Sequence, residues 1–395
     1  MAEKVKKAEG PPTREQRLAN AIAECEKEFG KEVVVKGMRP LAGRLPTGSL
    51  GLDIGMASPV AGGEIRGGWP FGRIVLLWAG EAVGKSFLCC HAIREIQRIG
   101  GIAVFVDFEA NTAPNWLERI GGDPSKVRVV QASTLNAGFD VARRIIKAAP
   151  GLVIVDSLMG IESQAEAERS FADGSYGGAA QKINQFMRTI KAALAPLLSK
   201  DAPAIPNNTI VMLTNQMRQA VGKTYGDGSI LPGGLGQRHQ NQVWLRLSRV
   251  DVVKEGQTEE KGEDGKTRKT GGVPVGQDIT VEWKKNFACP PLKKCTFRIF
   301  FSDSEEWGAT EGMIDTADEC LRWGREVGIV ELAGSWWKYG DVALGQGLAA
   351  ACRFLREHLE VQEELETRIR AAYGLSTGRT GPEASDTPPK GKKSR

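Results

Sequence analysis

Between residues 73 and 216, short apolar runs alternate with stretches whose apolar positions recur every three or four residues. The runs at 74–78, 102–107, 127–131, 152–156 and 209–214 predict strands, and the periodic stretches over about 85–98, 113–120, 135–148 and 178–199 predict helices between them. Strands alternating with helices build an α/β fold around a mostly parallel central sheet. Leu152 to Val155 is apolar without a break until Asp156 closes it, as a strand covered on both faces requires.

The pattern changes on either side of this stretch. Residues 1–13 are charged and proline-containing and are expected to be disordered. Thr13 and Gln16 form a capping box that starts a helix running to about Phe29, with Leu18, Ile22, Cys25 and Phe29 on one apolar stripe. A β-rich run, Val33-Val34-Val35, follows, and Thr47 to Asp53 reads as a turn into a short helix. Beyond Gln216 the glycine-rich segment 217–237 has little apolar periodicity, and long loops of this kind are usually functional or disordered. Strand patterns return at 243–250, 278–284 and 296–301 around a charged, flexible excursion at 254–275. From about 303 a small α-rich domain is expected, ending in a helix from Leu348 to about Tyr373, followed by a disordered tail over 374–395 of net charge +3.

Composition narrows the class without naming the chemistry. The chain has 395 residues and a formal net charge of +5, which permits nucleic-acid binding without arguing for it. No apolar run is long enough to span a membrane, and the N-terminus has no apolar segment of the secretory kind, so a cytoplasmic protein is expected. The seven cysteines lack metal-site spacing and read as reduced core thiols.

The chemistry begins where the strand 74–78 ends. Ala79-Gly80-Glu81-Ala82-Val83-Gly84-Lys85-Ser86 meets the phosphate-loop pattern G-x-x-x-x-G-K-[ST] except at Ala79, and Gly84-Lys85-Ser86 opens the helix that Phe87 continues. Strand, glycine loop and helix in that order aim backbone N–H groups and a helix dipole at a polyphosphate. Lys85 is placed to reach the β- and γ-phosphates, and the Ser86 hydroxyl to ligate Mg²⁺. Three strand ends supply partners. Asp156 is placed to hold the metal, although a strand-end Asp can also cap the next helix. Glu109 is placed as the general base that orients and deprotonates water, with Asp107 as the alternative. Gln216, directly before the glycine-rich loop, can hydrogen-bond a γ-phosphate and so switch that loop between disorder and order. Trp116 suits an adenine or the core equally well.

Together these stretches resemble the RecA family of DNA strand-exchange recombinases. The likeness is carried by E-K-E-F-G-K (26–31), T-G-S-L-G-L-D (47–53), the phosphate loop, V-D-F-E (106–109), V-I-V-D-S (153–157), T-N-Q-M-R (214–218), L-P-G-G (231–234) and W-W-K-Y (336–339). It implies a RecA-type ATPase core over 46–302, an N-terminal polymerisation arm over 14–45, and a C-terminal domain over 303–373 that gathers duplex DNA. It implies ATP and Mg²⁺ as cofactors, with Glu109 catalytic, Gln216 coupling the γ-phosphate to DNA, and Trp116 at the adenine. The implied partners are single-stranded DNA, double-stranded DNA and further copies of the chain in a helical filament. Loops 167–177 (Arg169, Phe171, Tyr176) and 217–237 (Met217, Arg218, Lys223, Gly233, Gly234) would line the filament axis, with Arg188 touching a phosphate. Recombinational repair and the SOS response follow, and stimulation of a repressor's self-cleavage is left open.

The sequence departs from the family pattern at Ala79, at Ala113 where an Asp often touches adenine, and at Lys284-Lys285-Asn286. There the family commonly has two lysines reaching across the subunit interface to the γ-phosphate, so Lys284 carries over and its partner does not. The tail is basic where many members are acidic, and an insertion near 199–208 points to a divergent member, of chromosomal or viral origin. Two other readings stand beside the recombinase: a RecA-core ring motor or regulatory ATPase, and a DNA-binding scaffold without hydrolysis.

Overall fold

A computed structural model describes residues 13–29, 43–60, 62–109, 114–132, 134–158, 178–196, 205–219, 229–231, 236–261, 267–287 and 293–376. The run 33–35, Ala113, the loop 167–177 with Arg169, Phe171 and Tyr176, and Lys223, Gly233 and Gly234 lie outside these residues. Two compact units divide the chain, residues 1–40 with 195–207, and residues 41–194 with 208–395.

In the first unit, helix α1 (Arg14–Phe29) starts on the expected box: Thr13 N donates to Gln16 Oε1 at 2.8 Å, and Gln16 N to Thr13 Oγ1 at 3.3 Å. Its apolar stripe begins with Leu18, 62 % exposed.

The second unit is organised on one sheet of eight strands: β1 (Ile74–Ala79), β2 (Ile102–Asp107), β3 (Arg128–Gln131), β4 (Gly151–Asp156), β5 (Ile210–Gln216), β6 (Val243–Lys261), β7 (Thr267–Asn286) and β8 (Lys294–Phe300). Their order across the sheet is β8-β7-β6-β1-β5-β4-β2-β3. From β6 to β3 every neighbouring pair is parallel, and β7 and β8 are added antiparallel. Side chains of β1 alternate between two cores, with Val75 and Leu77 in one and Ile74, Leu76 and Trp78 in the other. Helix α2 (Leu50–Gly55) and helix α3 (Lys85–Arg98) contribute Leu52, Leu88, Ala92 and Ile96 to the first core. After helix α4 (Pro114–Arg119), helices α5 (Leu135–Lys147) and α6 (Gly178–Ala193) cover the other face, where Phe139 and Phe186 stack with centroids 4.1 Å apart. Each such fully buried aliphatic or aromatic side chain contributes about 1.5–3 kcal/mol.

The structure revises several predicted elements, among them the single helix expected from Leu348 to about Tyr373, which is two helices, Leu348–Glu357 and Leu359–Ala372, parted at His358. Helix α6 ends at Ala193 rather than near 199, because Pro196 disfavours helical backbone at the residue before it. The segment 217–237 carries an antiparallel pair, Arg218–Gln219 with Ser229–Ile230, and helix α7 (Gly236–Gln240). The excursion expected at 254–275 is instead a ribbon: β6 and β7 stay paired, across register shifts at 244/245, 249/251 and 253/254, out to Lys261↔Thr267. Polar residues on both sides of a solvated two-stranded ribbon hide its period from the sequence.

The C-terminal region contains helix α8 (Thr316–Glu326), an antiparallel sheet of β9 (Glu331–Ala333), β10 (Trp336–Tyr339) and β11 (Val342–Gln346), and helices α9 (Leu348–Glu357) and α10 (Leu359–Ala372). Its core includes Leu50 and Ile54 of α2 beside Leu321, Leu355 and Ile369. Glu319 is fully buried and accepts hydrogen bonds from Ser49 Oγ (2.6 Å), Leu50 N (3.0 Å) and Gly51 N (2.9 Å), so a carboxyl group from α8 satisfies the open N-terminus of α2. Arg370 meets Asp53 at 2.9 Å, and Arg298 of β8 donates to Asp278 at 2.8 Å while standing 3.9 Å from both Asp315 and Asp318.

Candidate nucleotide site

Parallel pairing brings the chemistry to one edge of the sheet. Ala79 at the end of β1 is in register with Gln216 at the end of β5, and Asp107 at the end of β2 with Asp156 at the end of β4. Ligands of open α/β sheets bind outside these carboxyl ends.

The phosphate loop joins β1 to α3. Ala79 is a fully buried strand residue, so the missing family glycine costs no turn geometry there. Gly84 is different. It caps α3 at φ 95°, and a Cβ on it would lie 2.9 Å from Ile279 Cδ1 and 3.3 Å from Ile299 Cδ1. Only glycine fits there.

Around the loop lies a cavity of about 650 Å³ lined by the loop itself, Lys85, Ser86, Glu109, Trp116, Asp156 and Gln216. Lys85 Nζ donates to Gly80 O at 2.7 Å and Ala79 O at 3.3 Å. Burial lowers its pKa from the usual lysine value, opposed by the nearby charges of Asp156 and Glu109. Ser86 Oγ donates to Asp156 Oδ2 at 2.7 Å, and Thr214 Oγ1 donates to the other carboxylate oxygen. Burial raises the Asp156 pKa, and the bonds from Thr214 and Ser86 oppose it. An oxygen pair of this kind, hydroxyl and buried carboxylate facing a cavity beside a lysine, fits a hard cation such as Mg²⁺.

Glu109 Oε1 accepts from Ser157 Oγ and, at 3.3 Å, from Gln216 Nε2. Asp107 is buried, and its Oδ1 accepts from Glu109 N at 3.1 Å, so it orients the backbone under Glu109 instead of lining the cavity. Trp116 lines the cavity and also packs edge-to-face on Phe87, with centroids 6.0 Å apart.

Other expected residues lie elsewhere. Lys284 pairs with Glu282 at 2.9 Å and does not line this chain's cavity. Lys285 Nζ is held by the Arg238 and His239 carbonyls at the end of α7, at 3.0 and 3.1 Å, and Asn286 Nδ2 donates to Gly55 O at 3.3 Å. Arg188 is exposed on α6. Met217 N donates to Ala79 O at 2.8 Å, which carries the loop-side chain directly past the phosphate loop into Arg218.

Several contributors carry no motif. Ser157 directly follows the strand-end acid Asp156, and Thr214 reaches Asp156 from the neighbouring strand; both stand inside stretches that carry the family likeness, V-I-V-D-S and T-N-Q-M-R, without a role assigned there. Arg249, Gln277, Ile299 and Phe301 reach the cavity from β6, β7 and the end of β8, and no spacing announces them. Among the described residues there is no cluster of histidine, cysteine and carboxylate ligands that could hold a metal, and no helix long and apolar enough to cross a membrane.

Comparison with known proteins adds an independent finding. The family model of the RecA N-terminal domain matches residues 16–305, and that of the RecA C-terminal domain matches residues 319–374. The chain is 31% identical over 366 residues to Protein RecA of Thermus thermophilus, covering 92% of this chain and 96% of that one. It is 30% identical over 366 residues to Protein RecA of Lactococcus lactis, covering 92% and 85%. Against Protein RecA of Ruegeria pomeroyi the figures are 29% over 371 residues, 92% and 94%. Two consecutive domains matched in order, over nearly the whole of each relative, mean that the chain belongs to the RecA family of DNA strand-exchange recombinases.

Proposed function

We propose that the cavity at the ends of β1, β2, β4 and β5 binds ATP with Mg²⁺ and hydrolyses it, and that nucleotide state governs the chain's grip on DNA. The observation that carries this reading is the bond between Gln216 and Glu109, because it ties the strand leading to the glycine-rich segment to the water-activating carboxylate. Lys85, partly desolvated, exchanges its loop carbonyls for phosphate oxygens. Ser86 and Asp156 hold the metal. When bound, Mg²⁺ neutralises charge on the β- and γ-phosphate oxygens. Glu109 takes a proton from the attacking water as its oxygen bonds to the γ-phosphorus and the bond to the β–γ bridging oxygen breaks, yielding ADP and phosphate. Gln216 gives up Glu109 for the γ-phosphate, and the movement is passed to 217–237.

In this reading single-stranded DNA lies along that segment and the 167–177 loop, with Arg169, Arg188, Arg218, Lys223 and the backbone of Gly233 and Gly234 on phosphates and Tyr176 and Met217 also touching the strand. The α1 stripe and the 33–35 run dock on the next copy in a helical filament, Lys284 reaches a neighbouring copy's nucleotide, and the C-terminal region gathers duplex DNA. The protein works in the cytoplasm, and repressor self-cleavage is a further outcome to assay.

Phosphate release measured with and without single-stranded DNA tests the proposal, together with electron microscopy of the protein with DNA and ATP. DNA-stimulated turnover and open filaments are expected. Turnover indifferent to DNA, or closed rings, would replace the recombinase reading with a ring motor.

A further inference from the structure

Ala82 sits in the middle of the phosphate loop at φ 53°, in the left-handed region that side-chain-bearing residues enter at a cost. Nothing in its own side chain offsets that. The compensation comes from β7: Gln277, 5 % exposed, donates from Nε2 to the Ala82 carbonyl oxygen at 3.0 Å. Gln277 stands on a strand paired on both sides, opposite Val252 of β6 and Ile299 of β8, so its amide has a fixed origin. Two residues on, Ile279 and across the pair Ile299 are the side chains pressed against Gly84. The same strand pair therefore contacts the loop at two points, one polar and one apolar.

A peptide unit is planar and trans, so pinning the Ala82 carbonyl also fixes the direction of the Val83 N–H on the opposite side of that plane. An anion-binding loop works when its N–H groups are presented and its carbonyls are turned away. We propose that Gln277 is a positioning residue for nucleotide binding, holding Ala82 in its left-handed conformation so that the loop is set before phosphate arrives. This deepens, and rests on, the reading of the cavity as a nucleotide site.

The test is a double-mutant cycle on the full chain, read as the affinity for a fluorescent ATP analogue with Mg²⁺. Gln277→Ala should weaken binding roughly 3- to 10-fold, the worth of one hydrogen bond. Ala82→Gly removes the reason for the clamp, since glycine enters the left-handed region freely, so in that background Gln277→Ala should change affinity less than about 2-fold. Gln277→Glu, of equal length but with an acceptor facing the carbonyl, should lose at least as much as Gln277→Ala and serves if the alanine variant does not fold. Equal losses in both backgrounds would make Gln277 a mere strand-packing residue and overturn the proposal. So would wild-type binding that neither substitution weakens, which would leave the nucleotide site standing. A wild-type chain that binds no nucleotide would overturn both.

Discussion

Gln216 Nε2 lies 3.3 Å from Glu109 Oε1, although 107 residues separate them in the chain. The contact unites the residue that would activate water with the residue that opens the glycine-rich segment. The two should therefore fail differently. Glu109→Gln is expected to lower phosphate release by about 10²- to 10⁴-fold, the usual worth of a general base, while nucleotide still binds and filaments still form on DNA. Gln216→Ala is expected to keep nucleotide binding and lose the acceleration that DNA confers. Parallel measurements of phosphate release and DNA binding separate the two, and loss of DNA binding by Glu109→Gln would contradict its assigned role.

Ala79 departs from the family's phosphate-loop pattern and yet is a buried strand residue in register with Gln216. Restoring glycine by Ala79→Gly should cost about 0.5–1 kcal/mol of stability, as glycine does in a strand, and change nucleotide affinity less than about 2-fold. Urea unfolding and a nucleotide titration on the same preparation check both halves.

Glu319 is held by three donors at the start of α2, while full burial pushes its carboxyl up to about 8. Glu319→Ala strands the buried amides of Leu50 and Gly51 and the Ser49 hydroxyl. At about 1–3 kcal/mol for a buried group left unpaired, and with some relaxation, a loss of about 3 kcal/mol is expected in urea unfolding. Glu319→Gln, which keeps an acceptor, should lose less.

His91, on the helix that follows the phosphate loop, is 2 % exposed, and burial with the neighbouring Arg94 charge pushes its pKa down to about 3 from 6.5. Its Nε2 lies 3.0 Å from Gly312 O, so the neutral ring donates there. The unfolded chain binds this proton more readily than the folded one, so stability falls as pH drops from 6.5 toward 3. The slope is about 1.4 kcal/mol per pH unit, or roughly 2 kcal/mol between pH 6.5 and 5. His91→Gln should remove this component, and unfolding curves at several pH values compare the slopes.

The parallel core was legible because its signals are local. Helix α3 begins at Lys85 as expected because Gly84 supplies a left-handed cap, and α5 begins at Leu135 because Thr134 accepts from Ala137 N at 3.2 Å. The strand-end residues of the site were legible for the same reason, since a polar side chain at the close of a buried apolar run has few structural uses. The β6–β7 ribbon was not, because strands wet on both faces need no apolar alternation. Nor was Gln277, which meets Ala82 across 195 residues and owes its role to β-pairing that no short window contains. Lys285 shows the limit of pattern in the other direction: one place along from a family position, it is spent on the carbonyls that end α7.

The docking of Glu319 and Arg370 onto 49–53 carries a consequence for any shortened form of this protein. Helix α2 has only six residues, too few to persist on its own, and its open end is finished by a side chain supplied some 270 positions later. A chain cut near residue 303 would expose Leu50 and Ile54 and leave Asp53 buried without the arginine that balances it. The C-terminal third is thus a foundation for residues that precede the eight-stranded sheet, and deleting it to isolate a function of its own would at the same time loosen the ground beside that sheet.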